Sequence, residues 1–257
     1  MLKRNKFKLI FTLSGLSIPT LSFANDLKVN DPVGISFWLI SIIMVAATVF
    51  FLMSVNSVNG KWRTSMIIAA LVTLVAGIHY FYMREIWVTT GQSPTVYRYI
   101  DWLITVPLQL IEFYLILAAS ATIALPVFWR LFVFSIVMLL SGYLGETDFI
   151  NPYLGLVVGI LAWIAILYEL FLGEAAKVCA EKAPASVQQS FSVMKWIVTL
   201  GWAIYPLGYI FGYLVDGIDA ATLNFIYNIA DLVNKIIFCL AIWACAVKVS
   251  ETDYKSK

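Results

Sequence analysis

Seven long apolar stretches, separated by short polar segments, organise the chain from residue 33 onward. They cover residues 33–56, 61–87, 95–119, 124–144, 152–173, 190–215 and 221–248. Each is long enough to cross a bilayer as a helix, which takes about 20 predominantly apolar residues. The pattern predicts an all-α membrane protein, a bundle of seven transmembrane helices with no separate soluble domain.

The composition agrees with a lipid environment. The 257 residues are 61% hydrophobic and 12% charged, whereas a soluble domain carries about 25% charged residues. The chain has three cysteines, and Cys239 and Cys245 lie six residues apart on one predicted helix, too far to bridge. The composition therefore indicates a polytopic protein of the lipid bilayer without a disulfide framework.

The first 24 residues have the pattern of a cleavable signal peptide, which leaves 25–257 as the membrane domain. A basic segment with four positive charges precedes an apolar stretch, residues 9–21, and the small-x-small sequence Ser22-Phe23-Ala24. An eighth helix is the alternative, but Gly15 and Pro19 interrupt this short stretch. Cleavage would remove four of the 17 basic residues and change the formal charge from +2 to −2. The slight basicity thus belongs to targeting and does not indicate a nucleic-acid partner.

The loops predict the orientation of the bundle. Alternate connections carry the basic residues Lys61, Arg63, Arg130, Lys177, Lys182 and Lys195, whereas the fourth and sixth connections contain only acidic charges. Only the second connection departs from this trend, with Arg84 and Arg98. Because cytoplasmic loops are enriched in Lys and Arg, we expect the N-terminus outside and the C-terminus inside a bacterial inner membrane.

Several ionisable residues lie within the apolar stretches, where each charge costs at least ~2.5 kcal/mol near the centre of a helix. They are His79, Arg98, Asp101, Glu112, Glu169, Asp231 and Lys235. Glu169 lies near the inner end of its span, and we expect it to be solvated. On the third span, Arg98, Asp101, Thr105 and Glu112 follow at steps of three, four and seven residues, which places them on one helix face. This polar stripe is expected to face the interior of the bundle.

The seventh span places Asp231 one turn outward of Lys235, which lies near the midplane. The pattern predicts a central amine with Asp101 and Asp231 on its outer side and Glu112 on its inner side, ~16 Å from Asp101 along the helix. A purely structural salt bridge is the alternative, and it leaves Glu112 unexplained. A buried, isolated glutamate stays protonated because burial disfavours its charged form. Such an asymmetric arrangement of acids favours proton transport.

Aromatic residues at the same depth add a second indication. Trp102, Trp202, Tyr205 and Tyr227 accompany Pro206 on the third, sixth and seventh spans. Each of them alone is more simply explained as core packing. Together with a central lysine, they suggest a pocket for a flat aldehyde such as retinal, because a lysine amine forms a Schiff base with a carbonyl.

Three segments, RYIDWLITVPLQLIEFYLIL, WAIYPLGY and YNIADLVNKIIF, resemble microbial rhodopsins and, among these, the proteorhodopsins. The resemblance implies a light-driven outward proton pump that carries all-trans-retinal on Lys235. It further implies that Asp101 is the counterion and proton acceptor, Asp231 the second counterion and Glu112 the proton donor. Thr105 completes the Asp–Thr–Glu triplet, and Arg98 lies beneath the Schiff base. The pocket positions matched are Trp102, Trp202, Tyr205, Pro206 and Tyr227 and, less securely, Met138, Gly142 and Trp163.

The resemblance also assigns roles to His79 and Gln109. The histidine is expected to hydrogen-bond the counterion Asp101, although a lone membrane histidine is usually a bonded core residue. Because Asp101 must be ionised to accept a proton, pumping should weaken below neutral pH. Gln109 occupies the position where Leu or Gln divides green-absorbing from blue-absorbing members, so a blue-absorbing form is implied.

Two other classes of function remain open at this stage. A sensory rhodopsin would use the same chromophore to signal through a partner, whereas Glu112 favours pumping. A channel or scaffold without a chromophore would use the Lys–Asp network structurally. The resemblance also implies a homo-oligomeric ring, pentamer or hexamer, with Trp38 and His79 at a contact between subunits.

Overall fold

The computed structural model describes residues 27–215 and 217–255, and these are helical almost throughout. The predicted signal peptide, residues 1–24, lies outside the described residues. The helices are α1 (Pro32–Ser54), α2 (Trp62–Thr90), α3 (Thr95–Ser120), α4 (Leu125–Glu146), α5 (Pro152–Phe171), α6 (Glu174–Lys182), α7 (Ala185–Trp196), α8 (Ile204–Tyr209) and α9 (Ala220–Lys255). A 3-10 turn, Val55–Ser57, extends α1, and two π-helical turns, Ile197–Gly201 and Ile210–Leu214, flank α8.

These elements form seven segments of membrane-spanning length and hydropathy. The segments run over Pro32–Ser57, Trp62–Thr90, Thr95–Ser120, Leu125–Glu146, Pro152–Lys182, Ala185–Leu214 and Ala220–Thr252. The predicted seven-helix fold is confirmed, and the predicted boundaries of most spans fall within three residues of the observed ones. The orientation of the bundle in the membrane stays a prediction.

The fifth span extends further than the apolar pattern predicts, because α6 continues it beyond a break at Leu172 and Gly173. The sixth span begins earlier than predicted, at Ala185. The expectation that Glu169 is solvated is wrong. This side chain is buried, accepts a hydrogen bond from the guanidinium of Arg130 at 2.9 Å, and accepts another from the Ala175 backbone N–H at 2.9 Å. The second bond satisfies an N–H at the start of α6, where the helix itself offers no partner.

The bundle buries its polar residues and exposes its apolar ones. Arg98, Asp101, Glu112, Asp231 and Lys235 are each no more than 3% exposed, as the polar stripe predicts. Large apolar side chains on the outer faces of the helices are exposed instead, for example Leu39, Val49, Leu154 and Leu161. Ionisable groups in a membrane are expected to face the interior of a bundle, and lipid solvates the apolar exterior.

The close approach of α4 and α5 depends on glycine. A Cβ atom on Gly155 would lie 2.7 Å from the carbonyl oxygen of Ser141 and 2.9 Å from the Cα of Gly145. Small residues of this kind allow helix backbones to approach each other within a membrane. They bring α4 and α5 together beside the cavity described below.

The sixth span is interrupted near its middle, and side chains of neighbouring helices satisfy its freed carbonyl groups. Pro206 has no N–H group to donate within the helix. The indole N–H of Trp163 donates to the Val198 carbonyl at 3.0 Å, and the Asn234 amide donates to that of Gly201 at 3.0 Å. The hydroxyl of Tyr227 donates to the Tyr205 carbonyl at 3.1 Å. Irregular backbone is tolerated at membrane depth when the protein supplies such partners.

Candidate functional site

The centre of the bundle contains a buried amine held between two carboxylates. The Nζ of Lys235 lies 2.5 Å from Oδ2 of Asp101 and 3.0 Å from Oδ2 of Asp231. The second pair follows from helical geometry, since the two residues are one turn apart on α9, whereas α3 brings Asp101 from across the bundle. The predicted grouping of one amine with two aspartates is therefore present. Pairing of this kind offsets the cost of burying the ions.

The two aspartates differ in their surroundings. The carboxylate of Asp231 also accepts hydrogen bonds from the hydroxyls of Tyr80 (2.9 Å) and Tyr205 (2.6 Å) and from the indole N–H of Trp102 (3.2 Å). In contrast, Oδ1 of Asp101 has no hydrogen-bond partner among the described residues. The bonds to its carboxylate favour the ionised form of Asp231. Asp101 receives fewer such bonds, so the two carboxylates have unequal surroundings.

Arg98, one turn before Asp101 on α3, contributes a second buried positive charge. Its guanidinium donates to the side-chain oxygens of Asn224 at 2.8 Å and Asn228 at 3.1 Å, and it lies over the ring of Tyr227 at 5.4 Å. With Lys235 it balances the two aspartates in charge. Thr105 donates its hydroxyl to the backbone carbonyl of Asp101 at 2.9 Å, so it stabilises this turn of α3.

His79 does not form the hydrogen bond to Asp101 that the resemblance implies, as far as the described residues show. Its Nδ1 instead lies 2.8 Å from the Val75 backbone carbonyl, one turn earlier on α2. The ring is partly exposed, and it remains close enough to Asp101 to act on the carboxyl electrostatically. An i−4 bond from Nδ1 therefore holds the imidazole along its own helix.

Glu112 lies eleven residues beyond Asp101 on α3 and apart from the aspartate cluster. It is 1% exposed, and neither of its carboxyl oxygens has a hydrogen-bond partner in the described part of the chain. No described lysine or arginine pairs with it. An isolated buried carboxyl is most stable when protonated, as the sequence predicts for this position.

A cavity lies beside Lys235, whose side chain forms part of its lining. All eight predicted pocket residues line it: Trp102, Trp202, Tyr205, Pro206, Tyr227, Met138, Gly142 and Trp163. Gln109 lines it as well, and its amide makes only a long contact of 3.5 Å to the Asn234 carbonyl. Small-ligand pockets are largely apolar, with a small number of polar groups. The cavity thus has the lining of a binding site for a flat apolar molecule.

The structure adds residues to the site that sequence reasoning missed. Tyr80 on α2 donates to Asp231, Asn234 on α9 bonds both Gly201 and the hydroxyl of Tyr205, and Glu146 on α4 lines the cavity and accepts from Tyr99 at 2.9 Å. Tyr80 follows His79 on α2, and nothing in the sequence pairs its hydroxyl with a residue of α9. Only the helix packing shows which way its hydroxyl points.

The fold and the site define a class: seven-helix membrane proteins with a buried lysine paired to carboxylates at the mouth of an aromatic cavity. The family model described as bacteriorhodopsin-like protein matches residues 31–249. This range covers all seven spans with at most a few end residues left out. The chain belongs to the bacteriorhodopsin-like family.

Curated relatives place it more narrowly. It is 48% identical over 246 residues to a green-light absorbing proteorhodopsin of Gamma-proteobacterium EBAC31A08, covering 95% of this chain and 98% of the relative. It is 46% identical over 247 residues to a blue-light absorbing proteorhodopsin of Gamma-proteobacterium Hot 75m4, with the same coverage. The resemblance to proteorhodopsins is confirmed, and the chain is a multi-pass bacterial membrane protein.

Solved structures agree with this placement. The crystal structure of a blue light-absorbing proteorhodopsin from Med12 superposes with a TM-score of 0.73 at 53% identity, over 84% of this chain and 98% of that one. Xanthorhodopsin, described as a light-driven ion pump with dual chromophore, superposes with a TM-score of 0.74 at 26% identity, over 86% of this chain and 94% of that one. The seven-helix fold of the family is therefore shared.

Proposed function

We propose that this chain is a light-driven pump that moves protons out of the cell, that Lys235 carries all-trans-retinal as a protonated Schiff base, and that the protein absorbs blue light. Relatives described as proteorhodopsins and as a light-driven ion pump support this class. The observation that carries the proposal is the buried Lys235 amine, which lines an aromatic cavity and pairs with two carboxylates of unequal surroundings.

The cavity residues fit retinal. The lining is predominantly aromatic and aliphatic, and Lys235 is the one amine that it contains among the described residues. We assign the retinal pocket to the eight predicted residues that line the cavity, among them Trp102 on α3 and Trp202 on the sixth span. When bound, retinal supplies visible absorption and a light-driven change in the proton affinity of the lysine nitrogen.

The unequal aspartates support a division of roles. Asp101 is the proposed proton acceptor, because its Oδ1 is unpartnered and its Oδ2 lies 2.5 Å from the Lys235 nitrogen. Asp231 is the proposed permanent counterion, since protonating it would disturb its bonds from Tyr80 and Tyr205. The positive charge of Arg98 keeps the cluster close to neutral. Thr105 acts on Asp101 through the hydrogen bond to its backbone carbonyl, and His79 acts on it electrostatically.

Glu112 is the proposed proton donor on the inner side. As a buried acid without an ion-pair partner, it holds a proton that it can give to the Lys235 nitrogen after Asp101 has taken the first one. Glu112 is then refilled from the cytoplasm. Asp101 releases its proton to the outside before the next cycle. With the acceptor outside the nitrogen and the donor inside it, one proton moves outward per cycle.

The direction of pumping depends on the orientation that the basic loops favour, with the N-terminus outside. We propose in addition that residues 1–24 are a cleaved signal peptide, which is consistent with an exported N-terminus. We also propose a homo-oligomer, pentamer or hexamer, with Trp38 and His79 at the contact between subunits. Trp38 is flanked by Phe81 on α2, at 5.4 Å between ring centroids.

Light-driven acidification tests the proposed function. Cells that contain this chain and added retinal are expected to acidify an unbuffered medium on illumination, and a protonophore should abolish the signal. The pumping rate should fall steeply toward about pH 5, because a protonated Asp101 cannot accept a proton. A sensory rhodopsin would show no sustained acidification, and undiminished pumping at about pH 5 would contradict the assignment of Asp101.

Replacing Gln109 with leucine is expected to shift the absorption maximum to longer wavelength. Light moves positive charge away from the lysine nitrogen, so a polar amide that stabilises the ground-state distribution widens the energy gap. Gln109 lines the cavity and makes only a 3.5 Å contact elsewhere. Absorption spectra of purified protein measure the shift. The control is Gln188→Leu, which changes an exposed glutamine of α7 that does not line the cavity. An unchanged maximum in Gln109→Leu would leave this glutamine a helix-contact residue.

A further inference from the structure

A groove lies on the outer surface of the bundle, between the sixth span and α9. Its walls are the last turn of α7, the π-helical turn Ile197–Gly201 and one turn of α9. Large apolar side chains of these walls are exposed: Trp196 by 48%, Leu200 by 66% and Val233 by 44%. Leu200 and Val233 lie near the middle of their spans, so the groove faces the acyl chains of the bilayer.

The groove adjoins the central cavity. Asn234 lines both the groove and the cavity, and it immediately precedes Lys235 on α9. The side chain of Asn234 is 4% exposed. It therefore lies between the lipid-facing surface and the compartment that Lys235 lines.

Asn234 is bonded to the irregular part of the sixth span. Its amide donates to the Gly201 backbone carbonyl at 3.0 Å and to the Tyr205 hydroxyl at 3.3 Å. The close approach depends on glycine, because a Cβ atom on Gly201 would overlap Oδ1 of Asn234. Gly201 ends a π-helical turn, an element that is frequent at functional sites. Two hydrogen bonds between neutral groups thus close the wall of the cavity at this point.

We propose that this groove is the entrance through which retinal passes from the bilayer into the central cavity, with Asn234 as its gate. The inference rests on the proposed function, which makes retinal the ligand of the cavity. Retinal is an apolar aldehyde that dissolves in the bilayer, so its way to a buried amine leads through a lipid-facing surface. The groove provides such a surface next to Lys235. Passage requires that the two hydrogen bonds of Asn234 break.

A groove that only holds lipid is the competing explanation. An acyl chain would cover the exposed apolar walls without any exchange with the cavity, and Asn234 would then only satisfy the Gly201 carbonyl. Retinal would have to enter elsewhere, for example between α4 and α5, where Gly155 and Gly159 line the cavity. The explanations differ in the rate at which colour forms, because only an entrance controls that rate.

The first test narrows the groove from the lipid side. Val233 lines the groove and not the cavity, so Val233→Trp should leave the absorption maximum and the final amount of pigment unchanged. After retinal is added to retinal-free protein in lipid vesicles, we expect colour to form about tenfold more slowly, which corresponds to about 1.4 kcal/mol in the barrier. The matched control is Val49→Trp on the exposed face of α1, outside both the groove and the cavity. Wild-type rates in both variants would overturn the inference.

The second test opens the gate. Asn234→Ala removes both bonds to the sixth span and leaves Lys235 in place, so colour should form about fivefold faster, the effect of losing one net hydrogen bond. The rate is read at the absorption maximum of each variant, and Asn56→Ala at the exposed end of the first span is the control. An unchanged or slower rate in Asn234→Ala would overturn the gate. A wild type that stays colourless with retinal would overturn the proposed function instead.

Discussion

Replacing Lys235 with alanine is expected to remove all visible absorption from protein supplied with retinal. The lysine amine lies in the lining of the cavity, where no other described amine is present. Without it the aldehyde has no nitrogen with which to form a covalent link. Absorption spectra of purified protein, recorded after addition of retinal, measure the loss.

Two controls sharpen this expectation. Lys195→Ala changes a lysine of the sixth span that contacts the ring of Phe171 outside the cavity, and it should keep full colour. Supplying Lys235→Ala with a preformed imine of retinal and a small alkylamine should restore colour, since the carboxylates of Asp101 and Asp231 remain to pair with it. A coloured alanine variant with retinal alone would contradict the assignment of Lys235.

Replacing Asp101 with asparagine is expected to reduce pumping to the background while the protein remains coloured. The amide cannot take up the proton from the Lys235 nitrogen, whereas Asp231 still balances the positive charge at 3.0 Å. Since one negative charge beside the nitrogen is lost, the ground state is stabilised less and the absorption maximum should move to longer wavelength. Light-induced pH changes in vesicles, with and without a protonophore, measure the pumping.

The matched control for this variant is Asp148→Asn, which changes an exposed carboxyl in the turn after α4. It should pump like the wild type. Sustained pumping by Asp101→Asn would mean that another group accepts the proton, and it would contradict the assignment of Asp101. A colourless variant would show that Asp101 is needed to form the pigment, so the expectation of retained colour would be wrong.

The central geometry could be predicted from helical periodicity. Steps of three, four and seven residues place Arg98, Asp101 and Glu112 on one face of α3, and a step of four joins Asp231 to Lys235. Charges are so costly in lipid that both faces had to turn inward, where they meet. The depth of each group then followed from its distance along the helix.

Contacts that depend on packing between distant helices could not be predicted in the same way. Tyr80 lies in an apolar segment, and its bond to Asp231 appears only once α2 and α9 are packed together. The expectation that Glu169 is solvated is wrong, because the sequence alone does not show that the side chain of Arg130 on α4 reaches Glu169 on α5. His79 bonds the Val75 carbonyl of its own helix, a local contact that the sequence does not distinguish from a bond to α3.

Reduction of the pigment with borohydride, followed by peptide mapping, tests the central claim most directly, because it fixes a retinal imine permanently to the nitrogen that carries it. We expect the retinyl group on the peptide that contains Lys235, and on no other. Retinyl label on a different lysine, or a wild type that stays colourless after regeneration and yields no labelled peptide, would contradict the account.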